Sequence, residues 1–168
     1  IFFKYVLTIL LFFNINFVRA DFTAKVQRVV DGDTVHVEDP NGKKFKVRLT
    51  GIDAPEQNQP YGLASTSHLR ELLLNKFVLL ESKPKKGKPY SVDRYKRVLA
   101  KIVLDGRDIN LSQVLSGYAW HFKRYQKQQS PKDRESYSQA ELHARENELG
   151  LWAEKKPIAP WNWRKMKK

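Results

Sequence analysis

Apolar and polar residues alternate in short stretches through the first two thirds of the chain. Alternation with a period of two is typical of a strand that buries one face. Asp31-Gly32-Asp33 and Pro40-Asn41-Gly42 separate the first three stretches as turns, which predicts an antiparallel three-stranded meander. Two later apolar stretches are also typical of strands. We predict strands over residues 23–30, 34–38, 45–49, 77–80 and 98–104.

Helical spacing of apolar residues occurs between and after these strands. Leu69, Leu72 and Leu73 share one face, and Asp108 or Asn110 can cap a short helix that ends before a glycine. We predict helices over residues 63–75, 108–116 and 131–149, followed by an extended tail from residue 155. Strands with helices placed between and after them favour an α+β fold, a small five-stranded barrel that carries about three helices.

Residues 1–20 differ in character from the remainder of the chain. Lys4 precedes an apolar stretch over residues 5–18, and the segment ends in the sequence Val-Arg-Ala. This order is typical of a secretory signal peptide, so we expect cleavage between Ala20 and Asp21 and export to the periplasm or the medium. The alternative is an uncleaved anchor. Two asparagines interrupt the apolar run, which is shorter than the roughly 20 residues that a spanning helix needs.

Charge narrows the choice of ligand. The chain has 31 Lys and Arg against 18 Asp and Glu; two of the basic residues lie in the first 20, so residues 21–168 carry 29 basic residues and a net charge of +11. Such an excess points to a polyanion: nucleic acid, anionic lipid or acidic polysaccharide. There is no cysteine, which excludes disulfides and thiolate metal ligands.

Acidic residues cluster at two places in this basic chain. Asp31 and Asp33 flank the first turn, and Asp53 and Glu56 lie in the loop after the third strand. Neighbouring strands of the meander can bring the two groups together, and a cation between them would relieve their repulsion. Oxygen-only ligation suits Ca²⁺ or Mg²⁺ and does not suit zinc. The alternative is that the first group is only a hairpin turn and the second only a loop.

Two arginines are candidate phosphate ligands. Arg48 lies on the polar face of the third strand, five residues before Asp53, where a guanidinium can grip a phosphate. A structural salt bridge with one of the acids is the alternative role. Arg97 opens the last strand after a lysine-rich loop, and is a second phosphate ligand or a solvated charge.

Four segments together resemble the staphylococcal nuclease family in order and spacing. They are Asp31-Gly-Asp-Thr34, Arg48-Leu-Thr-Gly-Ile-Asp53-Ala-Pro-Glu56, Asp93-Arg-Tyr-Lys-Arg97 and Gly150-Leu-Trp152. The resemblance covers about residues 23–153, and implies a nuclease domain over residues 21–153 with an oligonucleotide-binding (OB) barrel and three helices. It also implies one Ca²⁺ ion and hydrolysis of RNA and DNA, single strands preferred, to 3′-phosphate and 5′-hydroxyl ends.

The resemblance also assigns roles to residues. It implies that Asp33, Asp53 and the Ala54 carbonyl bind the metal, with Asp31 behind them. The catalytic residues that it implies are Arg48 and Arg97 on the scissile phosphate and Glu56 on the attacking water, as its suggested general base. Substrate contacts are implied for Arg94 and Tyr95. The family's ligand-stacking tyrosine aligns with Lys123, and we expect Tyr125, which lies close by, to bind the substrate.

Two segments depart from the family pattern or lie beyond it. The loop after Glu56 is shorter than the family's lysine-bearing loop, whereas the loop over residues 82–90 is longer and has four lysines. Residues 154–168 form a basic tail whose Pro160-Trp-Asn-Trp-Arg164 end resembles that of Gram-negative members. Its two tryptophans have two open roles, stacking on bases or clamping the barrel.

Two other functions compete with a nuclease. A non-catalytic nucleic-acid-binding OB-fold module would keep the barrel and lose the acids, but the acids are present. A membrane-active protein needs a helix with a basic face, and the 131–149 segment mixes both charges. We expect a monomer with no stable membrane association once the signal is removed.

Overall fold

The computed structural model describes residues 20–85 and 87–167. The predicted signal peptide lies outside this part except for Ala20, whose backbone pairs with Ser82. The strands of the described part are β1 (Ala20–Asp31), β2 (Thr34–Glu38), β3 (Lys44–Leu49), β4 (Ile52–Asp53), β5 (Phe77–Ser82), β6 (Val98–Leu104), β7 (Arg107–Asp108) and β8 (Trp120–His121). The helices are α1 (Gly62–Leu73), α2 (Ile109–Leu115), α3 (Pro131–Glu146) and α4 (Pro160–Met166).

Five of these strands close into a barrel. Their order is β3-β2-β1-β5-β6, all neighbours being antiparallel. A parallel pairing of β3 with β6 then joins the two ends, with Arg48 opposite Leu99. This confirms the predicted α+β fold and its OB-type barrel.

Alternation in the sequence builds the core of this barrel. Val35 and Val37 on β2 and Val47 and Leu49 on β3 are buried, while the residues between them are more exposed. Each such side chain contributes about 1.5–3 kcal/mol when it leaves water. The polar face of β3 therefore remains on the outside of the barrel, where Arg48 lies.

Local signals set the helix ends. The Asp108 carboxylate accepts a hydrogen bond from the Leu111 backbone at the start of α2, and the Ser130 hydroxyl accepts one from the Asp133 backbone at the start of α3. Both are standard N-cap contacts. The prediction of an extended tail from residue 155 is wrong for Pro160–Met166, which form α4. Pro160 occupies the first turn of that helix, a position that proline favours.

No helix within residues 20–85 or 87–167 combines the length and the apolar character that crossing a bilayer requires.

Candidate active site

The turn between β1 and β2 packs against α1 and α2. Gln113 donates from Nε2 to the Gly32 carbonyl (2.8 Å), and the Asp31 carboxylate accepts a hydrogen bond from the Asp33 backbone (3.0 Å). A Cβ at Gly32 would lie 1.9 Å from the Ser65 hydroxyl oxygen. The turn therefore packs on α1 with no room for a side chain, and this packing fixes the direction of Asp33.

Asp33 links this turn to the loop after β4. Its Oδ2 accepts a hydrogen bond from the Ala54 backbone (2.9 Å), and its Oδ1 accepts one from the Thr34 hydroxyl (3.0 Å). Asp53 is fixed in turn because β4 pairs with β8, Asp53 opposite Trp120. Both aspartates are buried. The two acidic segments of the sequence thus come together, as the predicted meander implied.

Arg48 bridges the two buried aspartates. Its Nη2 lies 3.0 Å from Oδ2 of Asp33 and 3.1 Å from Oδ1 of Asp53, and its Nη1 donates to the Leu49 carbonyl. Only 12% of its side chain is exposed. The salt bridge considered as an alternative role for Arg48 is therefore present, and it involves both acids.

Burial and mutual repulsion raise the pKa values of two of the acids, Asp31 and Asp53. Burial, with the neighbouring charge of Asp33, raises the pKa of Asp31 to about 7. Burial also raises the pKa of Asp53, although hydrogen bonds from Arg164 and the charge of Arg48 oppose that shift. Buried carboxylates that repel one another in this way favour the approach of a cation.

A residue that the sequence did not single out completes this cluster. Arg164 of α4 lies on the acids, with Nη2 2.7 Å from Oδ2 of Asp53. Its Nη1 donates to Oδ1 of Asp53 (3.2 Å) and to Oε1 of Glu56 (2.7 Å). Burial alone would lower the pKa of Arg164, but these hydrogen bonds raise it above its ordinary value.

Aromatic contacts anchor the helix that carries Arg164. The Trp161 ring stacks on Phe122 at 5.2 Å and meets Trp120 edge-on at 5.5 Å. Trp163 donates from its indole to the Asn58 side chain (3.1 Å). Of the two roles left open for these tryptophans, the structure contains the clamp. Proline at the first helical position is the local sequence signal for this short helix.

Arg97 belongs to a second group beside the barrel. It pairs with Asp93 through Nη2 (2.7 Å), and the guanidinium groups of Arg94 and Arg97 lie 4.7 and 5.4 Å from the ring centre of Tyr95. Burial alone would raise the pKa of Asp93, but hydrogen bonds from Arg97 lower it below its ordinary value. Arg97 directly precedes β6, the strand whose Leu99 lies opposite Arg48 on β3.

Tyr125 lies beside the aromatic rings that anchor α4. It belongs to a 3-10 segment over Lys123–Gln128, is 47% exposed, and contacts the Phe122 ring at 5.0 Å. Lys123, at the aligned position, instead pairs with Glu141 (2.8 Å). Tyr125 thus extends the aromatic row that Phe122 and Trp161 begin.

The acidic side chains at this site offer the kind of ligand atom that a hard cation prefers. Asp33, Asp53 and Glu56 offer oxygen only, which is the ligand that Ca²⁺ and Mg²⁺ prefer. Within residues 20–85 and 87–167, no three His, Cys, Asp or Glu side chains are grouped closely enough to share an ion. Guanidinium groups from Arg48 and Arg164 lie on the acids instead. The site therefore attracts positive charge.

Comparison with known proteins assigns this arrangement to a family. The family described as "Staphylococcal nuclease homologue" matches residues 46–154. A Haemophilus influenzae protein described as an uncharacterized endonuclease is 38% identical over 146 residues, which is 87% of this chain and 75% of that protein. An uncharacterized endonuclease of Escherichia coli is 33% identical over 98% of this chain and 99% of its own length.

A third relative carries a more specific name. A Shigella flexneri protein named micrococcal nuclease is 34% identical over 158 residues, which is 89% of this chain and 84% of that protein. The family match spans both Asp53 and Arg97, and the relatives align along most of their lengths. The chain belongs to the staphylococcal nuclease family and is a nuclease.

Proposed function

We propose that this nuclease is a Ca²⁺-dependent phosphodiesterase that hydrolyses DNA and RNA to 3′-phosphate and 5′-hydroxyl ends. The observation that carries the proposal is the pair of buried carboxylates, Asp33 and Asp53, that Arg48 bridges. Arg164 links Glu56 to the same pair through Asp53. The names of the relatives, endonuclease and micrococcal nuclease, support the same reaction class.

The metal site proposed here consists of the Asp33 and Asp53 carboxylates and the Ala54 carbonyl. A bound Ca²⁺ supplies positive charge that polarises the scissile phosphate. The hydrogen bond from the Ala54 backbone N–H to Asp33 holds these two segments together.

The side chains of this chain supply the remaining chemistry. Glu56, whose side chain is 41% exposed, accepts a proton from the water that attacks the phosphorus. Arg48 and Arg97 donate to phosphate oxygens, and so stabilise the charge that grows in the transition state. The new bond forms between phosphorus and the water oxygen. The bond to the 5′ oxygen breaks, and that oxygen leaves as a hydroxyl after it takes up a proton.

Two exposed aromatic rings support a proposal for substrate preference. Tyr95 is 63% exposed and has two arginines over its ring, an arrangement suited to an unstacked base and its phosphate. Tyr125 offers a second exposed ring. Unpaired bases reach such rings more easily than bases covered by a partner strand, so we propose a preference for single strands. We further propose that the enzyme acts as a monomer.

A nuclease assay tests this proposal. Purified residues 21–168 are incubated with single-stranded DNA, duplex DNA and RNA in Ca²⁺, in Mg²⁺ and in chelator. We expect cleavage in Ca²⁺, faster for single strands, with 3′-phosphate ends in the products. Full activity after exhaustive chelation and dialysis would refute the metal assignment. Binding without cleavage under every condition would favour the non-catalytic module.

We also propose that residues 1–20 direct export to the periplasm or the medium. Cleavage after Ala20 would leave nearly all of β1 intact, because that strand pairs with β5 from Ala20 onward. Mass spectrometry of the protein exported from a bacterial host measures the new N-terminus, expected at Asp21. An intact N-terminus in the membrane fraction would instead indicate an anchor.

A further inference from the structure

The Arg164 guanidinium takes up the same carboxylate oxygens that the proposed ion needs. It contacts both oxygens of Asp53, at 2.7 and 3.2 Å, and one oxygen of Glu56 at 2.7 Å. A cation bound to an Asp53 oxygen would be repelled by the guanidinium that is held on the same carboxylate. Arg164 and the ion therefore compete for the same ligand.

Arg164 offsets negative charge that Arg48 alone leaves unbalanced. Asp33, Asp53 and Glu56 supply three carboxylates, and of these three Arg48 contacts the two aspartates. Asp53 is 2% exposed, and a buried carboxylate without enough positive charge nearby is costly. Arg164 supplies the additional positive charge, which a bound ion would make unnecessary.

Contacts outside the acids keep the guanidinium close to them. Trp161 packs between Phe122 and Trp120, Trp163 donates to Asn58, and Gln59 donates to the Ile158 carbonyl (2.6 Å). None of these contacts involves a carboxylate. α4 can therefore stay docked when the Arg164 side chain leaves the acids. The effective concentration of the guanidinium beside Asp53 and Glu56 then remains high.

We propose that Arg164 is a tethered cation that occupies Asp53 and Glu56 in the metal-free enzyme, and that α4 thereby sets the affinity of the active site for its ion. The inference rests on the proposed function, which supplies the ion. It assigns to the C-terminal helix a part in the active site, where sequence patterns predict only a basic tail.

Calcium titration without substrate tests the proposal. Isothermal calorimetry compares the wild-type protein with Arg164→Gln, which removes the competing charge, and with Lys165→Gln, which removes an equal charge from the same helix. We expect Arg164→Gln to bind Ca²⁺ at least about fivefold more tightly, the lower end of usual coupling between sites. Lys165→Gln should stay within about twofold of wild type, because salt screens exposed charges.

Thermal unfolding provides a second readout. In chelator, Arg164→Gln should unfold at a lower temperature than wild type. Added Ca²⁺ should raise the Tm of Arg164→Gln by more than it raises the Tm of wild type. If the variant does not fold in chelator, Arg164→Lys, which keeps the charge and loses the two-pronged contact, should bind Ca²⁺ more tightly than wild type.

The outcomes separate this inference from the function on which it rests. Calcium affinity in Arg164→Gln that is equal to or weaker than wild type overturns the inference and leaves the proposed function standing. An equal gain in Lys165→Gln also overturns it, since general charge would then explain the effect. Absence of calcium binding in every protein overturns both.

Discussion

The Gly32→Ala substitution tests whether the packed turn between β1 and β2 positions the active site. The added Cβ would lie 1.9 Å from the Ser65 hydroxyl oxygen, where ordinary contact begins at 3.4 Å. The turn or α1 must therefore shift by about 1.5 Å, the difference between these distances. Ser65 cannot turn away freely, because its hydroxyl donates to the Tyr118 carbonyl (2.7 Å).

This displacement should affect both stability and rate. Overpacking of a close-packed site costs about 1–3 kcal/mol, which in a domain of this size lowers Tm by about 2–12 °C. Asp33 follows Gly32 directly, so the shift also moves a carboxylate that holds Ala54. A misplacement of about 1 Å commonly lowers rates by about 10²-fold. We expect a loss of that order in kcat.

Thermal unfolding and single-strand cleavage in Ca²⁺ measure these two effects. Ser65→Ala removes the oxygen in conflict, so the double variant Gly32→Ala/Ser65→Ala should be more stable than the sum of the single changes by at least about 0.5 kcal/mol. Wild-type Tm and kcat in Gly32→Ala, or strict additivity in the double variant, would refute the reasoning.

Three further predictions concern charge. Arg97→Lys and Arg48→Lys should each lower kcat by about 10²–10³ with little change in substrate affinity, because lysine cannot donate two parallel hydrogen bonds; a folded Arg97→Lys protein with a normal rate would exclude its catalytic role. In an inactive Asp33→Asn background, the four lysines of the 82–90 loop are replaced by alanine. The slope of log affinity for single strands against log salt concentration should become shallower by about 0.7 for each phosphate that the loop no longer neutralises. Fluorescence anisotropy measures this affinity, and an unchanged slope would mean that the loop does not touch the substrate. Burial lowers the pKa of His121, so the unfolded chain takes up the proton first and stability should fall as the pH drops below about 6.5. Urea unfolding measures the free energy of unfolding at pH 8 and at pH 5, and the difference between the two should be smaller in His121→Gln than in wild type. An equal difference in the two proteins would assign the effect to other groups.

Local patterns were sufficient to predict the barrel. The alternation of Val35, Val37, Val47 and Leu49 predicted the strands because one buried face imposes a period of two. The same meander brings the Asp33 turn to the loop after β4, so the gathering of the acids was accessible from the sequence.

The contact of Arg164 with the acids was not accessible in that way. Asp53 and Arg164 are 111 residues apart, and no local periodicity links them. The two tryptophans of the tail had a binding role and a packing role that spacing could not separate. Only the docking of Trp161 on Phe122 decides between them, and that contact depends on the finished tertiary structure.

The parallel pairing of β3 with β6 has a consequence for when the enzyme becomes active. Val47 pairs with Val98, 51 residues further along the chain, with α1 and β5 in between. Contacts between distant residues form slowly, because the intervening loop must close first. Arg48 lies on β3 and Arg97 directly before β6, and both are proposed catalytic residues. We therefore predict that catalytic competence arises only at barrel closure, after most local structure has formed. Opening confined to the β3–β6 pairing would switch off cleavage while the remaining strands stay protected from hydrogen exchange.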